Sequence, residues 1–428
     1  MPAPRLTSDS SFSCRPPHRS LMLLWGYTVF TVPNQVGFGE YLLLSHAPLF
    51  KRRYAVDGDV VLGCAIGCRF CYYRMIDSTA PFIGTGKLKP LVTPEEFAEA
   101  VANSKLISER SLVIMGARGD ASMYPDGVAR VLEEAEGVKA KFLALRRAPY
   151  DEKVREHLEN FDNIYYGTTI TPKARETGTP VSEERQLEGL RFAADYPHRV
   201  SIEVGPINAR NADALRGILR ALRDLGWDAA IYRGVSAGSW GLDRSAVLGR
   251  LLRSGFLTEE HLRRAKDGYF YAVKNDLDAA LEAAVVEAFL AEGIKPYRHT
   301  GQFYADRWGL PVAKTRGNRI RADVLEYAKA DYPGKDLRGE LERLGYADAE
   351  VEFGEELGVK TAKVKTSIPI TEDVAMYLGE ATGIAVIAEN YLPSPDGPTL
   401  AHYLRHDFFW MPERIKRVVA EALRRRGG

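Results

Sequence analysis

Cysteine is scarce in this chain, with four in 428 residues. That excludes a disulfide framework of the kind small secreted scaffolds rely on. Once Cys64, Cys68 and Cys71 are set aside only Cys14 remains, so a second cysteine-ligated cluster is excluded as well. No D-x-H-x-x-G stretch occurs, and nothing else points to a cobalamin domain. Long hydrophobic runs are absent. The longest, Leu21 to Val32, is interrupted by Gly26 and Thr28 and is too short to span a bilayer. It lacks a small-residue cleavage site and runs into Pro33 and Asn34, which argues against a signal peptide. Charge of one sign is lacking too: 58 Lys and Arg face 57 Asp and Glu, for a net charge of +1. No global field therefore draws the chain to nucleic acid or to an anionic membrane. A cytoplasmic protein acting on a small molecule, without membrane or nucleic-acid partners, is the expectation; oligomeric state is not legible.

What the chain does have is three cysteines within eight residues: Cys64-Ala65-Ile66-Gly67-Cys68-Arg69-Phe70-Cys71. Thiolates are the soft ligands that iron–sulfur clusters require. Three of them on one tight loop can hold three irons of a cubic [4Fe–4S] cluster, and the fourth iron is then open to a substrate or cofactor. The alternatives are a zinc site or a disulfide. Structural zinc takes four protein ligands, usually as two C-x-x-C pairs, and no second pair exists here. A disulfide would leave one thiol of the trio over.

From Val56 onward, strand-like and helix-like segments alternate. Val60–Leu62, Leu112–Met115, Lys141–Leu145, Ile164–Ile170, Val200–Val204 and Ala229–Tyr232 read as strands. Between them, helices start at Thr93-Pro94-Glu95-Glu96 and at Ser182-Glu183-Glu184, each with a capping residue and early acids. Val128–Ala135 and Asp151–Asn160 also read as helical, and Ala212–Leu225 carries apolar residues at 215, 218, 219, 222 and 225. Six β-α units imply an α/β fold with a parallel sheet. Residues 1–55 form an N-terminal extension, irregular and then strand-like. Residues 297–428 form a C-terminal α+β region expected to help build the substrate pocket. Helices are expected at 242–253, 259–266 and 277–291, strands across 351–387 with turns at Gly354 and Gly358, and a basic terminal helix from Pro412. His402 and His406, four residues apart, are read as surface or packing residues.

The spacing C-x3-C-x2-C with its aromatic neighbours resembles the cluster loop of the radical S-adenosylmethionine (radical SAM) superfamily. The resemblance extends through Gly167-Thr168-Thr169-Ile170-Thr171, through Arg185–Leu190 and through Ser201-Ile202-Glu203-Val204-Gly205-Pro206. There it looks like the spore-photoproduct-lyase-like branch, over about residues 58–235, though without that branch's extra catalytic cysteine. It implies a partial (β/α)6 barrel over residues 56–296, with the site at the C-terminal ends of the strands. It implies one [4Fe–4S] cluster on Cys64, Cys68 and Cys71, with S-adenosylmethionine on the open iron. Phe70 and Tyr72 would border the adenine. Gly116 sits where a glycine-rich segment receives the methionine amino group, although the family's G-G-E reads Gly116-Ala117-Arg118-Gly119-Asp120 here. Asp120 is the candidate acceptor from that amino group, and Arg146 the candidate partner of the carboxylate. Thr168 and Thr169 are candidates for the ribose or methionine.

Glu203, Tyr232 and Arg233 are the candidate catalytic residues. Glu203 stands out because a carboxylate inside an apolar strand is costly to bury without a partner. The resemblance implies a radical enzyme that takes hydrogen from a small polar substrate (a sugar, nucleoside or natural-product intermediate), leading to dehydration, epimerisation or oxidation. A one-electron donor such as flavodoxin or ferredoxin would be its protein partner. A nucleic-acid-modifying lyase and a non-enzymatic metal-binding or sensor protein are the alternatives.

Overall fold

Aliphatic runs of four to seven residues, each followed by an amphipathic helix, dictate the architecture. The computed structural model describes residues 44–45, 55–75, 80–103, 112–116, 119–238, 249, 252–253, 255, 271–277, 279–298, 300–309, 334–356, 358–367, 370 and 372–388. Within these, the first elements are β1 (Leu44–Ser45), β2 (Ala55–Gly58), β3 (Val61–Leu62), β4 (Lys89–Pro90), α1 (Pro94–Asn103), β5 (Leu112–Met115), α2 (Pro125–Glu134), β6 (Lys141–Arg146), α3 (Glu152–Asn160) and β7 (Ile164–Ile170). There follow α4 (Ala174–Thr177), α5 (Glu183–Gly189), β8 (Val200–Val204), α6 (Leu215–Asp224), β9 (Ala229–Tyr232), β10 (Val235–Gly238), β11 (Tyr271–Asp276), α7 (Ala279–Ala291), β12 (Lys295–Tyr297) and α8 (Thr300–Arg307).

The main sheet has eight strands in the order β1-β2-β5-β6-β7-β8-β9-β12. From β2 to β12 every neighbouring pair is parallel, and only β1 is antiparallel. Strand and helix alternate along the chain, giving an α/β fold built as an open, partial β/α barrel. Local chemistry sets the helix starts. Thr93 and Glu96 form a reciprocal capping box, with Glu96 N–H donating to Thr93 Oγ1 at 3.1 Å and Thr93 N–H to Glu96 Oε2 at 2.9 Å. Ser182 Oγ accepts from Arg185 N–H at 3.3 Å to open α5.

Two expectations need correcting here. The strand that enters the sheet ahead of the cysteines is Ala55–Gly58, not Val60–Leu62. Val61–Leu62 instead pairs antiparallel with Lys89–Pro90 in a small ribbon that carries the cysteine loop. The sheet also gains a further parallel strand, Lys295–Tyr297, which pairs with β9. The expected boundary between 296 and 297 therefore falls inside a strand. The Lys-Pro-Tyr composition of that strand hides it, since proline demotes a run in any strand reading.

The sheet has two differently covered faces. Val113, Phe142, Ala144, Ile164, Tyr166, Ile202, Val204, Ala230 and Tyr232 pack with residues of α2, α3 and α6. On the opposite face, called the inner face below, Leu112, Ile114, Leu143, Ala229, Ile231 and Tyr297 pack with Phe303 and Tyr304 of α8. Thr300, at the start of α8, lies against Glu203 and Arg233 near the C-terminal ends of β8 and β9. Trp308, just past its end, lies under Lys141 at the start of β6. So α8 runs along the inner face antiparallel to the strands.

A second core lies in α9 (Leu337–Arg343), β13 (Glu350–Glu356), β14 (Val359–Lys365), α10 (Glu372–Thr382) and β15 (Ala385–Ala388). Gly358, at φ +76°, makes the hairpin turn, whereas Gly354 lies inside a strand. The sequence reading missed α10 between the strands. Of the other expectations, most of 1–55 with Cys14, most of the helix at 242–253, all of the helix at 259–266, and everything beyond 388 with His402, His406 and the terminal helix lie outside the described residues.

Candidate active site at the cysteine loop

Loops from four successive strands meet at the cysteines. The cysteine loop follows β2 and the short β3. Its Gly63 bridges Gly119, and Gly63 C=O accepts from Asp120 N–H at 3.2 Å; both partners belong to the loop after β5. From the loop after β6, the Arg147 guanidinium lies over the Phe70 ring at 5.2 Å. From the turn after β7, Gly178 C=O accepts from Arg69 N–H at 2.9 Å, and Thr179 Oγ1 lies 3.0 Å from Cys68 Sγ. Backbone geometry makes glycine necessary at Gly63, which has φ +139°; a Cβ there would sit 2.6 Å from Lys87 O.

All three thiols are free, and Cys68 is buried. Burial, reinforced by the Asp120 carboxylate, pushes the Cys64 thiol up to about 12. Burial and the neighbouring Cys68 push Cys71 up to about 11, against the opposing pull of Arg147 and Arg74. Thiols such as Cys64 and Cys71, whose surroundings oppose their ionisation, are donors suited to a cationic centre, whose charge replaces the protons. No group of three or more His, Cys, Asp or Glu side chains among the described residues gathers around a single ion position.

Side-chain alternation along the strands sorts the remaining candidates. Thr169, Glu203 and Arg233 fall at inner-face positions. The Glu203 carboxylate pairs with the Arg233 guanidinium, and the two side chains are 15% and 16% exposed. Thr300 Oγ1 donates to Glu203 Oε1 at 2.8 Å and accepts from Arg233 Nη2 at 2.8 Å. Arg233 Nε is buried without a partner. So the carboxylate in the apolar strand does have its partner. Thr300 was missed, because it lies 97 residues from Glu203 and no local pattern marks it.

Three candidates fall on the other face. Arg146 points into the helix layer, where it pairs with Asp151 at 2.9 Å and donates to Pro149 C=O at 2.7 Å. Its neighbour Arg147, one position on and so on the inner side, reaches the cysteine loop and donates to Thr171 Oγ1 at 2.8 Å. Thr168 is buried against Gln186 of α5 at 3.3 Å. Tyr232 donates to Glu282 of α7 at 2.9 Å beneath Arg298. These three hold helices to the sheet, and none faces the cysteines.

Asp120 and Gly116 sit at the mouth but are engaged. Asp120 Oδ1 caps Ser122 N–H at 2.9 Å, and Oδ2 accepts from Arg147 N–H at 2.7 Å, so the carboxylate clips the loop after β5 to the loop after β6. Gly116 N–H donates to Asp59 at 2.8 Å, and its C=O accepts from Gly119 N–H at 3.3 Å. Phe70 is buried under Arg147. Tyr72 lies in the short helical turn Tyr72–Met75, which touches β10, the strand that starts two residues after Arg233.

No family model matches the chain, and no curated protein does. Neither comparison therefore supplies a counterpart in the spore-photoproduct-lyase-like branch. Among the solved structures that match is one described as the cobalamin-dependent S-adenosylmethionine radical enzyme OxsB with aqua-cobalamin and S-adenosylmethionine bound. The two are 11% identical with a TM-score of 0.33, and the match covers 69% of this chain and 45% of that one. The likeness is loose, and the chain spans less than half the length of that enzyme.

Proposed function

We propose that the protein is a radical SAM enzyme in which Cys64, Cys68 and Cys71 hold one [4Fe–4S] cluster. The observation that carries this reading is the convergence of four successive strand-end loops on the Cys64, Cys68 and Cys71 thiols at the C-terminal mouth of a parallel sheet. When bound, the cluster supplies the electron that splits S-adenosylmethionine into methionine and a 5′-deoxyadenosyl radical able to take hydrogen from substrate.

The chain's own residues then divide the work. Arg147, rather than Arg146, offers its guanidinium to the methionine carboxylate, steadied by Thr171 and by Phe70 beneath it. Asp120 fixes the Arg147 backbone and so the direction of that side chain. Phe70 and Tyr72 flank the adenine. Glu203 and Arg233 use Oε1 and Nη2 on each other and on Thr300, which leaves Glu203 Oε2 as acceptor and Arg233 Nε as donor. That pairing suits a hydroxyl that can accept and donate, on the ribose or on a small polar substrate such as a sugar, nucleoside or natural-product intermediate. Dehydration, epimerisation or oxidation follows from hydrogen removal beside such a hydroxyl. A flavodoxin or ferredoxin is the proposed electron donor.

The test is anaerobic reconstitution with iron and sulfide, followed by S-adenosylmethionine and dithionite. About four irons per chain and release of 5′-deoxyadenosine are expected from the cubane stoichiometry. A protein that takes up one zinc and no iron would instead be a structural or sensor protein.

A further inference from the structure

Thr179 is a buried residue that the mechanism above leaves without a role. It lies 111 residues from Cys68 in sequence, yet its Oγ1 sits 3.0 Å from the Cys68 sulfur, with both side chains buried. Its own N–H is already given to Ala174 C=O at 2.9 Å, which fixes the turn. The same turn accepts Arg69 N–H through Gly178, so the approach of hydroxyl to sulfur is set by two backbone anchors and not by a mobile side chain. Gly178 takes φ +94°, and a Cβ there would come within 2.9 Å of the Arg69 side chain, so the contact between the two loops leaves no slack.

In the free protein either group can donate. With Cys68 as an iron-bound thiolate only one arrangement survives, because the sulfur has lost its proton and the threonine hydroxyl alone carries one. Hydrogen bonds to the sulfurs are among the factors that set the reduction potential of an iron–sulfur cluster. A donor facing the sulfur stabilises the more negative, reduced state more than the oxidised one. We propose that Thr179 is a positioning residue which donates a hydrogen bond to the Cys68 thiolate and raises the reduction potential of the cluster. This rests on the cluster reading above, and it assigns to the loop after the fourth parallel strand, β7, a part in setting how readily the electron is accepted.

The experiment is a potentiometric titration of the reconstituted protein, followed by electron paramagnetic resonance of the reduced cluster, for the wild type, Thr179→Val, Thr179→Ala and Thr179→Ser. Valine keeps the shape without the hydroxyl, and serine restores the donor. The expected result is a drop of about tenfold in the reduced-to-oxidised ratio at fixed potential in the valine and alanine variants, equivalent to about 59 mV for one electron, with recovery in the serine variant. Equal potentials in all four proteins overturn the assignment while leaving the cluster reading intact. Loading of serine but of neither valine nor alanine also overturns it, since the hydroxyl would then be needed to build the site and not to tune it. A wild-type protein that takes up no iron overturns both.

Discussion

Adjacent residues in this chain have opposite fates, and the arginine pair shows it best. Arg146 is 5% exposed at its side chain and bound to Asp151 and Pro149. Removing it in Arg146→Ala unpairs that loop, and a loss of about 1–3 kcal/mol is expected in chemical denaturation, with S-adenosylmethionine binding nearly unchanged. Arg147→Ala should do the reverse: stability within about 1 kcal/mol of wild type, but affinity for S-adenosylmethionine down at least about tenfold by calorimetry, the scale of one lost charged hydrogen bond. Equal effects from both would overturn the assignment of Arg147. His157 offers a pH test away from the site. It is buried beside Tyr166, with Nδ1 2.6 Å from the hydroxyl, and burial followed by Lys153 holds its pKa below the usual value of 6.5. Below pH 6.5 the unfolded chain therefore binds more protons than the folded one, so stability falls as pH falls through that window. His157→Gln keeps a hydrogen-bonding side chain and removes the titration. The gap in melting temperature between pH 7 and pH 5.5 should narrow in this variant, and an unchanged gap would exclude His157 as its source.

At the scale of elements, the strands were legible because their aliphatic runs are short and bounded, and the helix starts because their caps are local. The six expected strands include five that stand in the sheet within a residue of their expected bounds. The sixth, Val60–Leu62, was displaced because the true first strand, Ala-Val-Asp-Gly, has only one strongly strand-forming residue. What the strand reading did not use was its own period of two. Applied to Leu143, Leu145 and Arg147 on one side and Phe142, Ala144 and Arg146 on the other, alternation separates the two arginines without any structure. It does the same for Thr168 and Thr169, and for Tyr232 and Arg233. Gly116 shows how tightly these ends are packed: at φ +80° its added Cβ would meet Leu145 O at 2.6 Å and Ala121 N at 2.9 Å. Gly116→Ala is expected to cost about 2–4 kcal/mol, because strain at positive φ adds to a clash with backbone that cannot move aside. Urea denaturation measures it, and a loss under about 0.5 kcal/mol would show that the loops after β5 and β6 can separate.

For the whole molecule, the chief surprise is α8, which lays Phe303 and Tyr304 along the inner face of the sheet and delivers Thr300 to Glu203 and Arg233. A chain ending at 296 loses that cover together with Tyr297, the last residue of β12. It should expose apolar surface and bind a hydrophobic dye far more strongly than a chain ending at 309; equal dye binding would mean that the inner face does not depend on α8. The second core, from Leu337 to Val386, folds around its own hydrophobic residues. Its hairpin sets Glu350, Glu352 and Glu355 opposite Lys365, Lys363 and Lys360, cross-strand pairs of opposite charge that favour this register. Among the described residues no helix is long and apolar enough to cross a membrane. The sequence by itself determined the class of fold, the thiol loop and the absence of a second one, because alternation, capping and cysteine count are properties of neighbours along the chain. Only the tertiary structure decided which arginine meets the loop, that Thr179 touches Cys68 and that Thr300 completes the Glu203–Arg233 pair. Those contacts join residues 67 to 111 positions apart, or 77 for Phe70 and Arg147, and are set by strand pairing and helix packing that no local pattern encodes.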